Sequence, residues 1–140
     1  MRVFIVEDAT ETRQELAELL AAVDGLEIVG QAGLLRQALT GIEATAPEVL
    51  ILDISLPDGS GIEVLRHSRQ RGWKLSVVVL TGNLYEALQA KCQQLGAVAV
   101  LDKINGFAQV REVAADLLLQ KGGKVESPVL RNASIESSSL

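Results

Sequence analysis

Five short apolar runs recur along the chain, and each is bounded by turn residues or by acids. Their short length and their content of β-branched residues predict strands rather than helices. The runs at 3–6, 49–52 and 77–80 do not alternate with polar residues, which is typical of parallel strands that helices cover on both faces. The five predicted strands are residues 3–6, 26–30, 49–52, 76–80 and 97–101.

The segments between these runs carry apolar residues at helical spacing. In the first segment they recur at i, i+3, i+4 and i+7 from Leu16, with Thr10 as the predicted N-cap and Gly25 as the stop. The five predicted helices are residues 11–23, 34–45, 60–71, 84–94 and 107–120. A strand followed by a helix, five times over and with right-handed crossovers, predicts an α/β fold with a doubly wound five-stranded parallel sheet.

Composition narrows the class of protein. A length of 140 residues favours one domain, and a net charge of −5 argues against a broad surface for nucleic acid or anionic membrane. Cys92 is the only cysteine, so an internal disulfide or a cysteine-based metal site is excluded. With no signal peptide and no apolar run of about 18 residues, we expect a cytoplasmic protein that does not enter the membrane.

The character of the chain changes near its end. Residues 122–140 contain paired glycines and serine-rich stretches without a sustained hydrophobic period. We therefore expect a domain over residues 1–121, followed at 122–140 by a flexible tail or linker.

Charged and hydroxyl side chains follow four of the five predicted strands. They are Glu7 and Asp8 after the first, Asp53 after the third, Thr81 after the fourth and Lys103 after the fifth. Because the carboxyl ends of parallel strands share one edge of a sheet, these groups should lie close together. Three neighbouring carboxylates repel one another unless a cation lies between them, and such an oxygen-rich site suits Mg²⁺. A lysine and a hydroxyl beside them would complete a pocket for a phosphoryl group.

The combination of the pair Glu7-Asp8 with the segments LILDISLPDGSG, VVVLTGN and AVLDK resembles the receiver domain of two-component response regulators. The resemblance covers about residues 1–120 and implies the flavodoxin-like (βα)5 receiver fold. It implies that Asp53 accepts a phosphoryl group from a sensor histidine kinase or a phosphotransfer protein. Glu7, Asp8, Asp53 and the backbone carbonyl of Ser55 would then hold Mg²⁺, while Thr81 and Lys103 would bind phosphoryl oxygens.

The same resemblance implies a switch rather than an enzyme, because such a domain promotes only its own phosphorylation and dephosphorylation. Phosphorylation would change contacts with a partner or with a second copy of the chain. The face expected to respond is built from residues 84–120, and a homodimer through it is one possible outcome. Since no basic helix-turn-helix segment follows, we expect no direct binding of nucleic acid by this chain.

Two positions depart from the receiver pattern. Receivers usually carry Tyr or Phe where this chain has Val100, and Pro where it has Ile104. The chemistry of phosphorylation needs neither residue, but the conformational response could rely on another group, such as Tyr85. A degenerate receiver that acts as an interaction module without phosphorylation is the main alternative. An aspartyl-phosphate hydrolase of another doubly wound family is disfavoured, because Ser55 stands where its second acid would be.

Overall fold

Residues 1–122 are described by a computed structural model, and they form a five-stranded parallel sheet with helices on both faces. The strands of this sheet are β1 (Arg2–Val6), β2 (Glu27–Ala32), β3 (Val49–Leu52), β6 (Ser76–Thr81) and β7 (Ala99–Asp102). A small antiparallel hairpin, β4 (Ser55–Leu56) and β5 (Gly59–Ser60), follows β3. The strand order in the large sheet is β2-β1-β3-β6-β7, which confirms the predicted doubly wound α/β fold.

In residues 1–122, four helices connect the strands of the large sheet and a fifth follows the last strand. They are α1 (Thr10–Ala21), α2 (Leu35–Thr45), α3 (Ile62–Arg71), α4 (Glu86–Gln94) and α5 (Lys103–Lys121). Among residues 1–122, none of these helices combines the length and the hydropathy that a bilayer span requires. The predicted tail at 122–140 lies outside the described residues, except for Gly122.

Alternate residues of each strand face opposite sides of the sheet, so the sheet has a core on each face. On one face Phe4, Leu50 and Val79 pack beneath α2, α3 and α4. On the other face Ile5 and Ile51 pack beneath α1 and α5. Burial on both faces explains why the central runs are continuously apolar.

Several element boundaries differ from the sequence predictions by a few residues, and three of these differences have a physical reason in the contacts of the chain. The strand β2 continues to Ala32, because its backbone stays paired with β1 as far as Val6. Thr10 is the first residue of α1 rather than its cap; the N-cap position is Ala9, and no side chain there caps the helix. The helix α5 begins at Lys103 instead of residue 107, because the side chain of Asp102 accepts a hydrogen bond from the Ile104 N–H at 2.7 Å.

The hairpin folds back tightly against the end of β3. The Gly61 N–H donates to the Ile54 carbonyl at 2.7 Å, and a methyl group on Gly61 would lie only 2.4 Å from the backbone oxygen of Asp53. Since the obstacle is backbone rather than a flexible side chain, only glycine fits here without a shift of the chain.

We therefore expect Gly61→Ala to lower the free energy of unfolding by about 2 kcal/mol, the usual cost of an overpacked contact. Gly82→Ala is the matched control, because a methyl group there would meet its nearest neighbour, Lys103 Cδ, at an ordinary 3.8 Å. Urea unfolding of both variants measures the difference. Equal stabilities for the two variants would show that the backbone around Asp53 can shift to accommodate the methyl group without lowering the free energy of unfolding.

Candidate functional site

The strand order brings the predicted site residues to one edge of the sheet. The strands β1, β3, β6 and β7 are consecutive neighbours, and all run in the same direction. Their carboxyl ends carry the acids, the hydroxyl and the lysine that the sequence analysis singled out. The site lies beside the point where the strand order changes direction. The strand β2 lies on one side of β1, and β3 lies on the other. Open α/β sheets bind ligands at such a point.

Glu7, Asp8 and Asp53 form a compact cluster of acids. Each offers a carboxylate oxygen, and these oxygens all lie within 4.8 Å of one another. Glu7 and Asp53 are buried, whereas Asp8 is exposed. The cluster therefore has a protein-enclosed side and a side open to water.

Each buried acid uses one oxygen for the backbone and the other for a cation. Glu7 Oε2 accepts the Ala9 N–H at 3.0 Å, and Asp53 Oδ1 accepts the Ser55 N–H at 3.2 Å. The Lys103 ammonium lies 2.7 Å from Glu7 Oε1 and 3.1 Å from Asp53 Oδ2. Lys103 thus bridges the ends of β1 and β3 and partly offsets the charge of the cluster.

Burial and pairing shift the titration of these groups. Desolvation raises the pKa of the Glu7 carboxyl above its ordinary value, and the hydrogen bond from Lys103 opposes this only in part. Burial by itself lowers the pKa of the Lys103 ammonium, but the hydrogen bonds to Glu7 and Asp53 outweigh it and raise that pKa. Lys103 therefore stays protonated at neutral pH.

Thr81 completes the edge from the neighbouring strand. Its side chain is buried, and its hydroxyl oxygen accepts a hydrogen bond from the Asn83 N–H at 3.4 Å. The hydroxyl proton is not used in that bond and is available to another acceptor. The side chain of Lys103 lies beside Gly82, the residue that follows Thr81.

Ser55 is the fourth predicted metal ligand, through its backbone carbonyl. It begins β4, directly beyond the site, and pairs with Ser60 in the hairpin. Its N–H holds Asp53, as described above, whereas the role of its carbonyl as a metal ligand stays a prediction.

The two departures from the receiver pattern have distinct surroundings. Val100 is buried within the core on the α2, α3 and α4 face of the sheet. Ile104 is 81% exposed, and its N–H is the group that Asp102 caps. A proline in that position has no N–H and could not take part in this cap. Tyr85, the other residue considered for a response, is exposed at the N-cap position of α4.

Arg13 is a site neighbour that the sequence analysis missed. Its guanidinium donates to the Glu7 carbonyl at 2.6 Å from the first turns of α1. The available signal was its position six residues after Glu7, near the start of a helix that must begin beside the acid pair.

The donor set of this site fits Mg²⁺. Carboxylate oxygens are hard ligands, and the exposed side of the cluster lets a magnesium ion keep part of its water shell. Two buried acids with one lysine between them also leave negative charge for a divalent cation to neutralise.

Comparisons with known proteins agree with this geometry. The family model described as the response regulator receiver domain matches residues 3–115. A protein-glutamate methylesterase/protein-glutamine glutaminase of Treponema denticola is 33% identical over 87% of this chain and 35% of that protein. The DNA-binding transcriptional activator DevR/DosR of Mycobacterium tuberculosis is 34% identical over 81% of this chain and 52% of that protein. The chain thus spans between about a third and a half of the length of these relatives.

Solved structures give the same result for the fold. A DNA-binding response regulator of the LuxR family from Staphylococcus aureus superposes with a TM-score of 0.78 at 25% identity. The match covers 84% of this chain and 98% of that one.

The bridge through Lys103 generates a prediction for stability. In Lys103→Met the buried carboxylates of Glu7 and Asp53 lose their shared cation. At neutral pH and without divalent metal, we expect the free energy of unfolding to fall by about 2 kcal/mol. Lys74→Met is the control, because Lys74 is exposed and has no ion pair among residues 1–122. Urea unfolding measures both variants.

The loss of stability in Lys103→Met should depend on pH. A raised pKa in the folded state means that Glu7 favours folding below the unfolded-state pKa, and that this advantage is lost as pH rises through the folded-state pKa. Removal of Lys103 raises the pKa of Glu7 further, so the deficit of Lys103→Met should be larger at neutral pH than at about pH 4.5. A deficit that is independent of pH would contradict the electrostatic account.

Proposed function

Because the chain belongs to the response regulator receiver domain family, we propose that it is a phosphoacceptor in which Asp53 takes a phosphoryl group from a phosphohistidine. The observation that carries the proposal is the convergence of Asp53 with Glu7, Asp8 and the Lys103 ammonium at one edge of the sheet. The donor would be a sensor histidine kinase or a phosphotransfer protein, which are the partners of receiver domains.

The transfer exchanges one bond for another. A carboxylate oxygen of Asp53 forms a bond to phosphorus while the bond between phosphorus and the donor imidazole nitrogen breaks, and the electron pair of that bond stays with the imidazole. The attacking group is the carboxylate form of Asp53, and the Lys103 ammonium lies 3.1 Å from its Oδ2. The Ser55 N–H holds the other oxygen of the carboxylate and so fixes its direction.

Lys103 and Thr81 are suited to bind the phosphoryl oxygens. The ammonium is a mobile point charge at the end of a long side chain, and the Thr81 hydroxyl has a proton to donate. Glu7, Asp8, Asp53 and the Ser55 carbonyl are the groups that we propose to hold Mg²⁺. When bound, the ion supplies neutralisation of the charge on the transferring group.

A phosphoryl group on Asp53 would also draw Lys103 away from Glu7. Because Lys103 is the first residue of α5, that exchange of partners acts directly on a helix. We propose that contacts of the 84–120 face with a partner, or with a second copy of the chain, change as a result.

A phosphorylation-independent interaction module is the second candidate, and the observations that favour it are Val100 and Ile104. Both candidates fit a family of signalling modules. They differ in whether Asp53 accepts phosphate.

Incubation with acetyl phosphate and Mg²⁺ distinguishes them. We expect intact-mass analysis to show the gain of one phosphoryl group in the wild-type chain and in Asp24→Asn, which removes an exposed acid outside the site. Asp53→Ala should show no gain. A gain that survives Asp53→Ala would refute the assignment of the acceptor, and the lack of a gain in the wild type would favour the interaction module.

Lys103 and a divalent cation should compete, since the ammonium contacts two of the carboxylates that we propose as metal ligands. We therefore expect Lys103→Met to bind Mg²⁺ several-fold more tightly than the wild type, yet to accept phosphate from acetyl phosphate more slowly. Calorimetric titration measures the first effect, and intact mass against time measures the second. Weaker Mg²⁺ binding by Lys103→Met would contradict the competition, and Lys74→Met again provides the control.

A further inference from the structure

We propose that Asp58 is a positioning residue that clamps the hairpin β4–β5 to the start of α2 and thereby holds Ser55 in place for the metal. The proposal rests on the proposed function, because it assigns a role at the same site. Asp58 itself is not a ligand in this account, and its effect on the site is transmitted by the hairpin.

The clamp consists of two hydrogen bonds between distant parts of the chain. Asp58 Oδ1 accepts the Leu35 N–H at 2.6 Å, and Asp58 Oδ2 accepts the Arg36 N–H at 3.1 Å. The first N–H groups of a helix have no partner within the helix, and the N-cap residue of α2, Leu34, supplies no side-chain acceptor. Asp58 therefore caps α2 from a loop more than twenty residues away in sequence. These hydrogen bonds also hold the pKa of Asp58 below its ordinary value.

Packing supports the same contact. Gly59 follows Asp58 with a φ of +155°, and a methyl group there would lie 2.7 Å from Leu35 Cδ2. The hairpin thus lies directly against the first residue of α2. Asp58 occupies its turn, while Ser55 pairs with Ser60 at its open end. Since the hairpin is only two residue pairs long, fixing its turn also restricts the position of Ser55.

The connection between β2 and α2 also touches the other half of the acid cluster. The Ala32 carbonyl accepts the Glu7 N–H at 2.9 Å. A methyl group on Gly33 would lie 3.6 Å from Asp8 Cα and 3.1 Å from Arg13 Nη1. The end of β2 and the residue after it thus contact the Glu7-Asp8 side, and the start of α2, two residues further on, holds the Asp53-Ser55 side through Asp58. The clamp therefore fixes the two sides relative to each other.

Two substitutions weaken the clamp to different extents. Asp58→Asn keeps one oxygen acceptor and replaces the other with an NH2 group that cannot accept, whereas Asp58→Ala removes both acceptors. Glu43→Gln is the matched control, because Glu43 is an exposed acid on α2, the helix that Asp58 caps. The partner of Glu43, Arg71, lies 2.8 Å from it and far from the site in the fold.

The first measurement uses the metal-free protein. In Asp58→Ala we expect faster amide hydrogen exchange at Leu35 and Arg36, together with NMR shift changes at the Ser55 amide; Asp58→Asn should show smaller changes of the same kind. The Ser55 amide should stay as in the wild type in Glu43→Gln. An unchanged Ser55 amide in Asp58→Ala would overturn the positioning role, whatever the metal does.

The second measurement is a Mg²⁺ titration followed by backbone amide shifts. We expect the dissociation constant to rise about three- to tenfold in Asp58→Ala and less in Asp58→Asn, at or below the lower end of the roughly 10- to 100-fold effects of residues that orient metal ligands. Phosphorylation by acetyl phosphate should need correspondingly more Mg²⁺ for half its maximal rate, with the maximal rate largely retained. An affinity within twofold of the wild type, despite faster exchange at Leu35 and Arg36, would reduce Asp58 to a helix cap.

The two proposals fail in different ways. If the wild-type chain bound no Mg²⁺, the metal site of the proposed function would be refuted, and with it the part of this inference that concerns the metal. The mechanical link from Asp58 to Ser55 would still be judged by the metal-free exchange and shift measurements.

Discussion

The contact of Lys103 with Glu7 and Asp53 is the interaction on which the organisation of the site depends. Two buried acids at the ends of neighbouring strands would repel each other, and the ammonium at 2.7 and 3.1 Å from their oxygens compensates that repulsion. The arrangement is possible because parallel strands deliver all their carboxyl ends to one edge. The same groups that the proposed chemistry needs are therefore also groups whose charges the folded chain has to balance.

Much of the fold and of the site could be predicted from local sequence. The five apolar runs and the periodicity between them indicated the doubly wound sheet, and strand direction alone brought Glu7, Asp8 and Asp53 to a common edge. The site residues could be identified because their side chains follow the ends of the predicted strands. Their assigned roles as acceptor, ligands and phosphoryl contacts rest on family resemblance and stay proposals.

The features that sequence missed depend on contacts between distant segments or on the exact start of an element. The cap of α2 comes from Asp58, more than twenty residues away, so no local pattern near Leu34 could reveal it. The early start of α5 depends on one hydrogen bond from the Ile104 N–H to Asp102, in a stretch whose apolar spacing only becomes regular at Phe107. Likewise, β2 extends beyond its apolar run because pairing with β1 continues.

The early start of α5 has a mechanical consequence. With 19 residues the helix is about 28 Å long, and it works as a rod whose two ends reach opposite edges of the sheet. Lys103 fixes one end to buried acids, while Lys121 at the other end pairs with the partly exposed Glu48 at 2.6 Å, a tether worth less than about 1 kcal/mol. Between these two ends, Val110, Val113, Ala114 and Leu117 pack the rod against the sheet. Charge therefore holds the two ends of the helix, and apolar burial holds its middle, so a change of partner at Lys103 alters the one restraint that lies inside the site.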